Sequence, residues 1–203
     1  LLAAFRNNED IHRRVASEVF GVPQSEVTSD QRRVAKAVNF GVIYGQTSYG
    51  LSNALDIERG AASTFIEEYF KRYAEVEKFI NQTLESVRSS HYARTILGRR
   101  REIDGIRPRR FRTLNLPERT AVNTVIQGSA ADLIKLAMVR AYSMIPEEAE
   151  LILTVHDELV TVCPTNMAEE TSEAIRESME GIKALSIPMI ADVRVVTRWG
   201  EAK

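Results

Sequence analysis

A mainly helical α+β fold with one small antiparallel sheet is the class this sequence predicts, and three observations predict it. Apolar residues recur at helical spacing over two long stretches, about 56–90 and 117–144. Two β-rich runs, 151–155 and 159–163, flank His156 and Asp157 in the manner of a hairpin. The 203 residues are 44% apolar, enough for the core of one large domain or two small ones.

In chain order, residues 9–20 read as a short amphipathic helix closed by Gly21 and Pro23. Ser25, or Thr28 to Asp30, supplies the cap of a second helix over about 30–45. The long periodic stretch follows, with a break expected near Tyr73; its aromatics, among them Phe65, Tyr69 and Phe70, belong to the core. The segment holding Gly98, Gly105 and Pro108 reads as an irregular or hairpin-like connection. The second long helix starts at Pro117 or Glu118 and ends before Pro146. After the hairpin come a helix over about 168–179 and a last strand over about 189–196, which is expected to pack with the second long helix around the small sheet. There is no internal repeat and no low-complexity tract.

A formal net charge of −1 excludes a globally basic nucleic-acid binder, so any nucleic-acid contact must use local patches. One patch stands out: Arg94, Arg99, Arg100, Arg101, Arg107, Arg109, Arg110 and Arg112 fall within 19 positions, a solvated loop or a phosphate-facing surface. Cys163 is the only cysteine, which rules out an internal disulfide and a cysteine-based zinc site and suits a reducing, cytoplasmic compartment. No apolar run approaches a membrane span, so no membrane partner is expected. The sequence begins without Met in what reads as the middle of a helix, which predicts a fragment.

Within the second helix, Arg32, Lys36, Phe40 and Tyr44 recur at steps of four. Each step drifts about 40° and climbs about 6 Å, so two cations and two aromatics form one stripe roughly 18 Å long. Arg32 can take phosphate through a bidentate fork and Lys36 as a point charge, while the rings offer flat surfaces to sugar and base. An amphipathic helix with solvated cations and core aromatics satisfies the same spacing. Gly41 and Gly45 weigh against pure packing, because glycine inside a helix costs about 1 kcal/mol relative to alanine and marks a close approach or a helix end. Arg119, Asn123 and Gln127 form a polar stripe on the second long helix, which an exposed helix face would also explain. Asp132 and Lys135 read as an ordinary surface or structural pair. Asp157 and Glu158 sit at a turn that lacks the Gly or Asn preferred in tight hairpins, and carboxylates there can serve Mg²⁺ or simply be solvated.

Three segments in order, Arg32 to Gly45, Gln127-Gly128-Ser129-Ala130-Ala131-Asp132, and Val155-His156-Asp157-Glu158, resemble the family A DNA polymerases of the bacterial polymerase I type. The resemblance covers nearly the whole chain, from Asp10-Ile11-His12 to the tail around Trp199. It implies a helical fingers subdomain over 1–115, with the nucleotide-binding helix at about 30–45. It also implies the C-terminal part of a palm over 116–203, with a metal-binding hairpin at about 151–163. The implied reaction is addition of dNTPs to a primer 3′-OH by two-metal phosphoryl transfer.

The roles implied are specific. Asp157 is a Mg²⁺ ligand and Glu158 a supporting carboxylate; Lys36 is a catalytic proton donor to pyrophosphate and, with Arg32 and His12, binds the triphosphate. Phe40 lies against the incoming sugar, which implies discrimination against dideoxynucleotides, and Tyr44 stacks at the templating position. Arg119, Asn123 and Gln127 touch the minor groove of the primer-template, and His156 lies near the primer end.

The family's first metal-binding Asp, thumb and upstream palm strand have no counterpart here, so the two-metal site is incomplete, the remainder of the polymerase is a required partner, and the chain is expected to be inactive alone. Asp104 and Val196 also depart from the family pattern, away from the chemistry. The rival reading is a fragment that binds nucleotide or DNA without catalysis; a metal hydrolase using His156, Asp157 and Glu158 is a third.

Overall fold

The computed structural model describes residues 1–109, 113–182 and 184–202. Two compact units divide it, Leu1–Gln127 and Gly128–Lys203. Arg110 and Arg112 of the arginine run lie outside the described residues.

The first unit opens with helices α1 (Leu2–Arg6), α2 (Ile11–Phe20), α3 (Ser29–Ile43), α4 (Ser48–Leu55), α5 (Arg59–Arg72) and α6 (Ala74–Ser90). Their starts follow from side-chain caps. Asp10 Oδ1 accepts from the backbone N–H groups of His12 and Arg13, both at 3.0 Å, and so caps α2. Thr28 and Gln31 make a reciprocal capping box at α3: Gln31 N–H donates to Thr28 Oγ1 at 3.2 Å and Thr28 N–H to Gln31 Oε1 at 2.9 Å. The expected helix at 30–45 is thus Ser29–Ile43, with Tyr44 as its C-cap. Helix α4 was not foreseen from the sequence.

The long periodic stretch is two helices, parted at Tyr73 where φ is −117° and ψ 53°. Glu18 secures that junction, accepting from Arg14 Nε at 3.0 Å, Arg72 Nε at 2.8 Å and Tyr73 Oη at 2.9 Å. Val15, Ala35, Val38, Leu51, Phe65 and Tyr69 fill one core of this unit; Ile80, Leu84, Val87, Ile103 and Val122 fill a second. The arginine-rich segment contains an antiparallel hairpin of β1 (Tyr92–Arg94) and β2 (Arg100–Glu102), with Tyr92 opposite Glu102.

Helix α7 (Leu116–Met144) supplies its first residues, through Gln127, to this unit. Asn115 caps it: its Oδ1 accepts from Glu118 N–H, and its own N–H donates to Glu118 Oε2, both at 3.0 Å.

In the second unit, β3 (Glu150–Val155) and β4 (Glu158–Val162) pair antiparallel around a two-residue turn, with a register shift between Leu151 and Leu153. Helix α8 (Ala168–Glu180) follows. Leu133, Ala137 and Ile182 form the unit's small core, with Leu159 and Met179 packed against it. The last strand expected at 189–196 is not one. The segment is non-helical and pairs with no strand among the described residues, and Ile190 and Val195 are exposed. A β-rich sequence becomes a strand only where an edge is presented to it, and here the ladder stops at β3 and β4.

Candidate nucleotide and DNA site

Helix α3 presents its cations and Phe40 outward. Lys36 is exposed, and among the described residues it has no ion-pair partner. Phe40 is 50% exposed, which decides against the reading of this ring as core. Tyr44 is half-buried at the helix end, its N–H donating to the Phe40 carbonyl at 3.2 Å.

The two glycines of this region hold close contacts. A Cβ on Gly41 would meet Gln46 Oε1 at 1.9 Å, and one on Gly45 would meet Arg119 Cγ at 2.9 Å. Gly45 also has φ +72°, a backbone region that other residues adopt at a cost. Glycine here brings the end of α3 against Arg119, the first member of the α7 stripe.

His12, from the start of α2, joins the same face. Its ring lies 5.8 Å from the Phe40 ring, and its Nδ1 is 3.0 Å from Asn39 Nδ2. With the amide nitrogen donating to Nδ1, the ring proton is on Nε2. Burial holds the His12 pKa below its usual 6.5; Asp10 pulls the other way, and the charges of Arg32 and Lys36 add to the lowering. His12 is therefore a neutral hydrogen-bond donor at pH 7. Arg32 donates from Nε to Asp10 Oδ2 at 2.7 Å. Burial alone would raise the Asp10 carboxyl, but the Arg13 N–H, Arg32 and the His12 N–H outweigh it and hold it below 3.8.

On α7, Arg119 and Gln127 are exposed and Asn123 is half-buried, with its Oδ1 buried and lacking a hydrogen-bond partner. Sequence reasoning missed what fixes this helix. Glu118, fully buried, accepts from Arg88 Nη2 at 3.2 Å and from Arg107 Nη2. Burial would raise its pKa; the Arg107 guanidinium, the Asn115 N–H and Arg88 bring it below the usual 4.5. Its sequence signal was the Asn115-Leu116-Pro117-Glu118 capping pattern, with proline early in the first turn. One member of the arginine run, Arg107, is thus internal structure, and Arg101 is bonded to Thr124 at 3.3 Å; Arg94, Arg99 and Arg100 are exposed.

In the second unit, His156, Asp157 and Glu158 are all exposed. His156 has φ 55°, the left-handed position of the turn where glycine is usual. Both carboxylates are hard oxygen donors of the kind Mg²⁺ takes. Among the described residues no group of three or more His, Cys, Asp or Glu side chains is arranged to hold a metal ion, so this pair fits as part of a ligand set only. Asp132 is 2% exposed while Lys135 is exposed, so of the surface and structural readings only the structural one holds for Asp132. No helix among the described residues is long and apolar enough to cross a membrane.

Comparison with known proteins gives these features a family. The chain is similar to DNA polymerase I of Caldicellulosiruptor bescii, 39% identical over all of this chain and 24% of the relative's length. It is likewise similar to those of Pseudomonas aeruginosa, 40% identical with 22% of the relative covered, and Bacillus subtilis, 41% with 23%. The chain thus spans about a quarter of the length of these curated relatives. Among solved structures it resembles the POL domain of Pol1 from M. smegmatis in complex with DNA primer-template and dNTP, with a TM-score of 0.83 and 36% identity. That match covers 93% of this chain and 34% of the other. The family profile described as DNA polymerase family A matches residues 1–201, and the chain belongs to that family.

Proposed function

We propose that these residues are the nucleotide-binding fingers (1–115) and C-terminal palm (116–203) of a template-directed DNA polymerase that adds dNTPs to a primer 3′-OH. The observation that carries this reading is the meeting of His12, Arg32, Lys36 and Phe40 on one face, in a chain of this family.

In this reading Arg32 and Lys36 hold the β- and γ-phosphates, and neutral His12 adds a hydrogen bond from Nε2. Lys36 keeps a proton at Nζ for the departing pyrophosphate. Phe40 packs on the deoxyribose, and Tyr44 stacks at the templating position. Arg119, Asn123 and Gln127 face the minor groove, where nearly uniform acceptors report pair shape rather than sequence. His156 stands at the primer end. Asp157 would hold Mg²⁺, with Glu158 supporting it and the remaining ligands coming from phosphates and from residues outside these 203. When bound, the two Mg²⁺ ions supply activation of the 3′-OH and stabilisation of the leaving charge.

The test is Mg²⁺-dependent extension of a primed template by this chain, alone and mixed with a polypeptide supplying the upstream palm strand and thumb. Extension only in the mixture, abolished by Asp157→Ala, is the expected result. The incomplete carboxylate set favours one second reading, a nucleotide- or DNA-binding fragment without catalysis. Nucleotide binding with no extension in either case would establish it.

A further inference from the structure

We infer that Asp10 is a positioning residue of the nucleotide site, aiming Arg32 at the triphosphate rather than competing with it; this rests on the nucleotide-binding reading above. The carboxylate is divided between two tasks. Oδ1 takes the His12 and Arg13 N–H groups at the start of α2, and Oδ2 takes Arg32 Nε from the first turns of α3. One side chain therefore fixes the helix that carries His12 to the guanidinium that stands beside it.

The geometry of the second bond gives it a purpose. A guanidinium bonded through Nε turns less freely about its long stem, and its two Nη groups are left as a fork that matches a pair of phosphate oxygens. Neither Arg32 Nη has a hydrogen-bond partner among the described residues. The Asp10 and Arg32 side chains are 37% and 41% exposed, and an ion pair that open to solvent adds little to stability. Its value lies in pre-organisation, which lowers the ordering cost when an anion arrives. Charge also remains for that anion. Asp10 is offset by Arg32 and by the helix N-terminus it caps, while Lys36 nearby has no acidic partner among the described residues.

Serine and asparagine separate the two tasks. Both cap helices about as well as aspartate. Serine is too short to reach Arg32 as well, and asparagine, with its single oxygen on the cap, turns an NH2 donor toward the Arg32 Nε–H. The experiment is titration of the 203-residue chain with a fluorescent methylanthraniloyl-dATP and Mg²⁺, with inorganic tripolyphosphate as competitor. The Arg32 Nε–H resonance, assigned by its loss in Arg32→Lys, is followed by NMR in parallel.

Asp10→Ser is expected to keep the melting temperature, to lose the protected Nε–H signal, and to weaken nucleotide and tripolyphosphate binding about tenfold. Asp10→Asn, which keeps the cap and the size but loses the acceptor for Arg32 Nε, weakens binding to a similar extent. Asp10→Ser causes no further loss in an Arg32→Ala background, because the two act as one unit. Unchanged or tighter binding by Asp10→Ser, while Lys36→Ala weakens it, overturns the inference and leaves the nucleotide site standing. Absent binding, or binding indifferent to both Lys36→Ala and Arg32→Ala, overturns the site and the inference together.

Discussion

Phe40 illustrates what a single side chain decides. Half-exposed and 5.8 Å from the His12 ring, it offers a flat apolar surface with no hydrogen-bonding atom. On the nucleotide reading proposed above, Phe40→Tyr in the reassembled enzyme would put a hydroxyl where a missing sugar 3′-hydroxyl would have bonded. Discrimination against dideoxynucleotides should then fall about 10- to 100-fold, the worth of a strong hydrogen bond, as read from competing incorporation rates. Gly45→Ala is a different kind of test. A left-handed backbone and a contact of 2.9 Å with Arg119 both oppose a methyl group there, so a loss of about 2 kcal/mol is expected in urea unfolding. That cations and rings at a spacing of four share one helix was legible in the sequence, and α3 with its Tyr44 C-cap is that helix. The backbone strain at His156 was legible only as a missing turn residue, since φ is set by the strands on either side. The burial of Asp132 was not legible at all: one polar position on a long helix looks the same whether it faces water or a core.

At the level of elements, local signals located most helices and tertiary context placed their ends. Thr28, among the capping residues expected, announced α3, and Tyr73 marked the division of α5 from α6, while the Asn115 cap of α7 went unread. Helix α4 escaped because Gly50 lowers its intrinsic propensity, while Leu51 and Leu55 earn their burial only against the rest of the unit. The segment at 189–196 failed in the opposite direction: its propensity was sound, and no ladder was there to receive it. The start of α7 depends on Glu118. Glu118→Gln removes the charge that Arg88 and Arg107 share and sets an NH2 donor against one of them, so it should destabilise the first unit by about 3 kcal/mol at pH 7. The folded pKa lies below the ordinary 4.5, so the stabilisation is complete above that value and is lost as pH falls through the depressed one. The gap between wild type and variant should therefore narrow in acid, as urea midpoints at pH 7 and pH 3 would show.

For the whole molecule, the sequence conveyed a mainly helical chain with a small antiparallel sheet, and the fold agrees. The sequence also led to the expectation of a fragment, and the chain spans about a quarter of the length of its curated relatives. Val139 and Tyr142 on α7 are 71% and 79% exposed, and Ile152, Leu153 and Val162 of the hairpin are exposed as well. A two-stranded sheet leaves the outer edges of both strands without ladder partners and is marginal by itself. Given that relatives are about four times longer, addition of an upstream palm polypeptide should slow amide hydrogen exchange in β3 or β4. Those amides should exchange quickly in the chain alone, which mass-spectrometric exchange would resolve strand by strand.

The capping box at Thr28 also acts as an angular reference. A helix begun one residue earlier or later is rotated by about 100° relative to whatever it packs on. Such a slip would swing Lys36 and Phe40 off the face that His12 occupies and carry Val38 and Val42 out of the core with them. Two hydrogen bonds a full two turns from Lys36 thus work with the buried valines to hold the bearing of its charge.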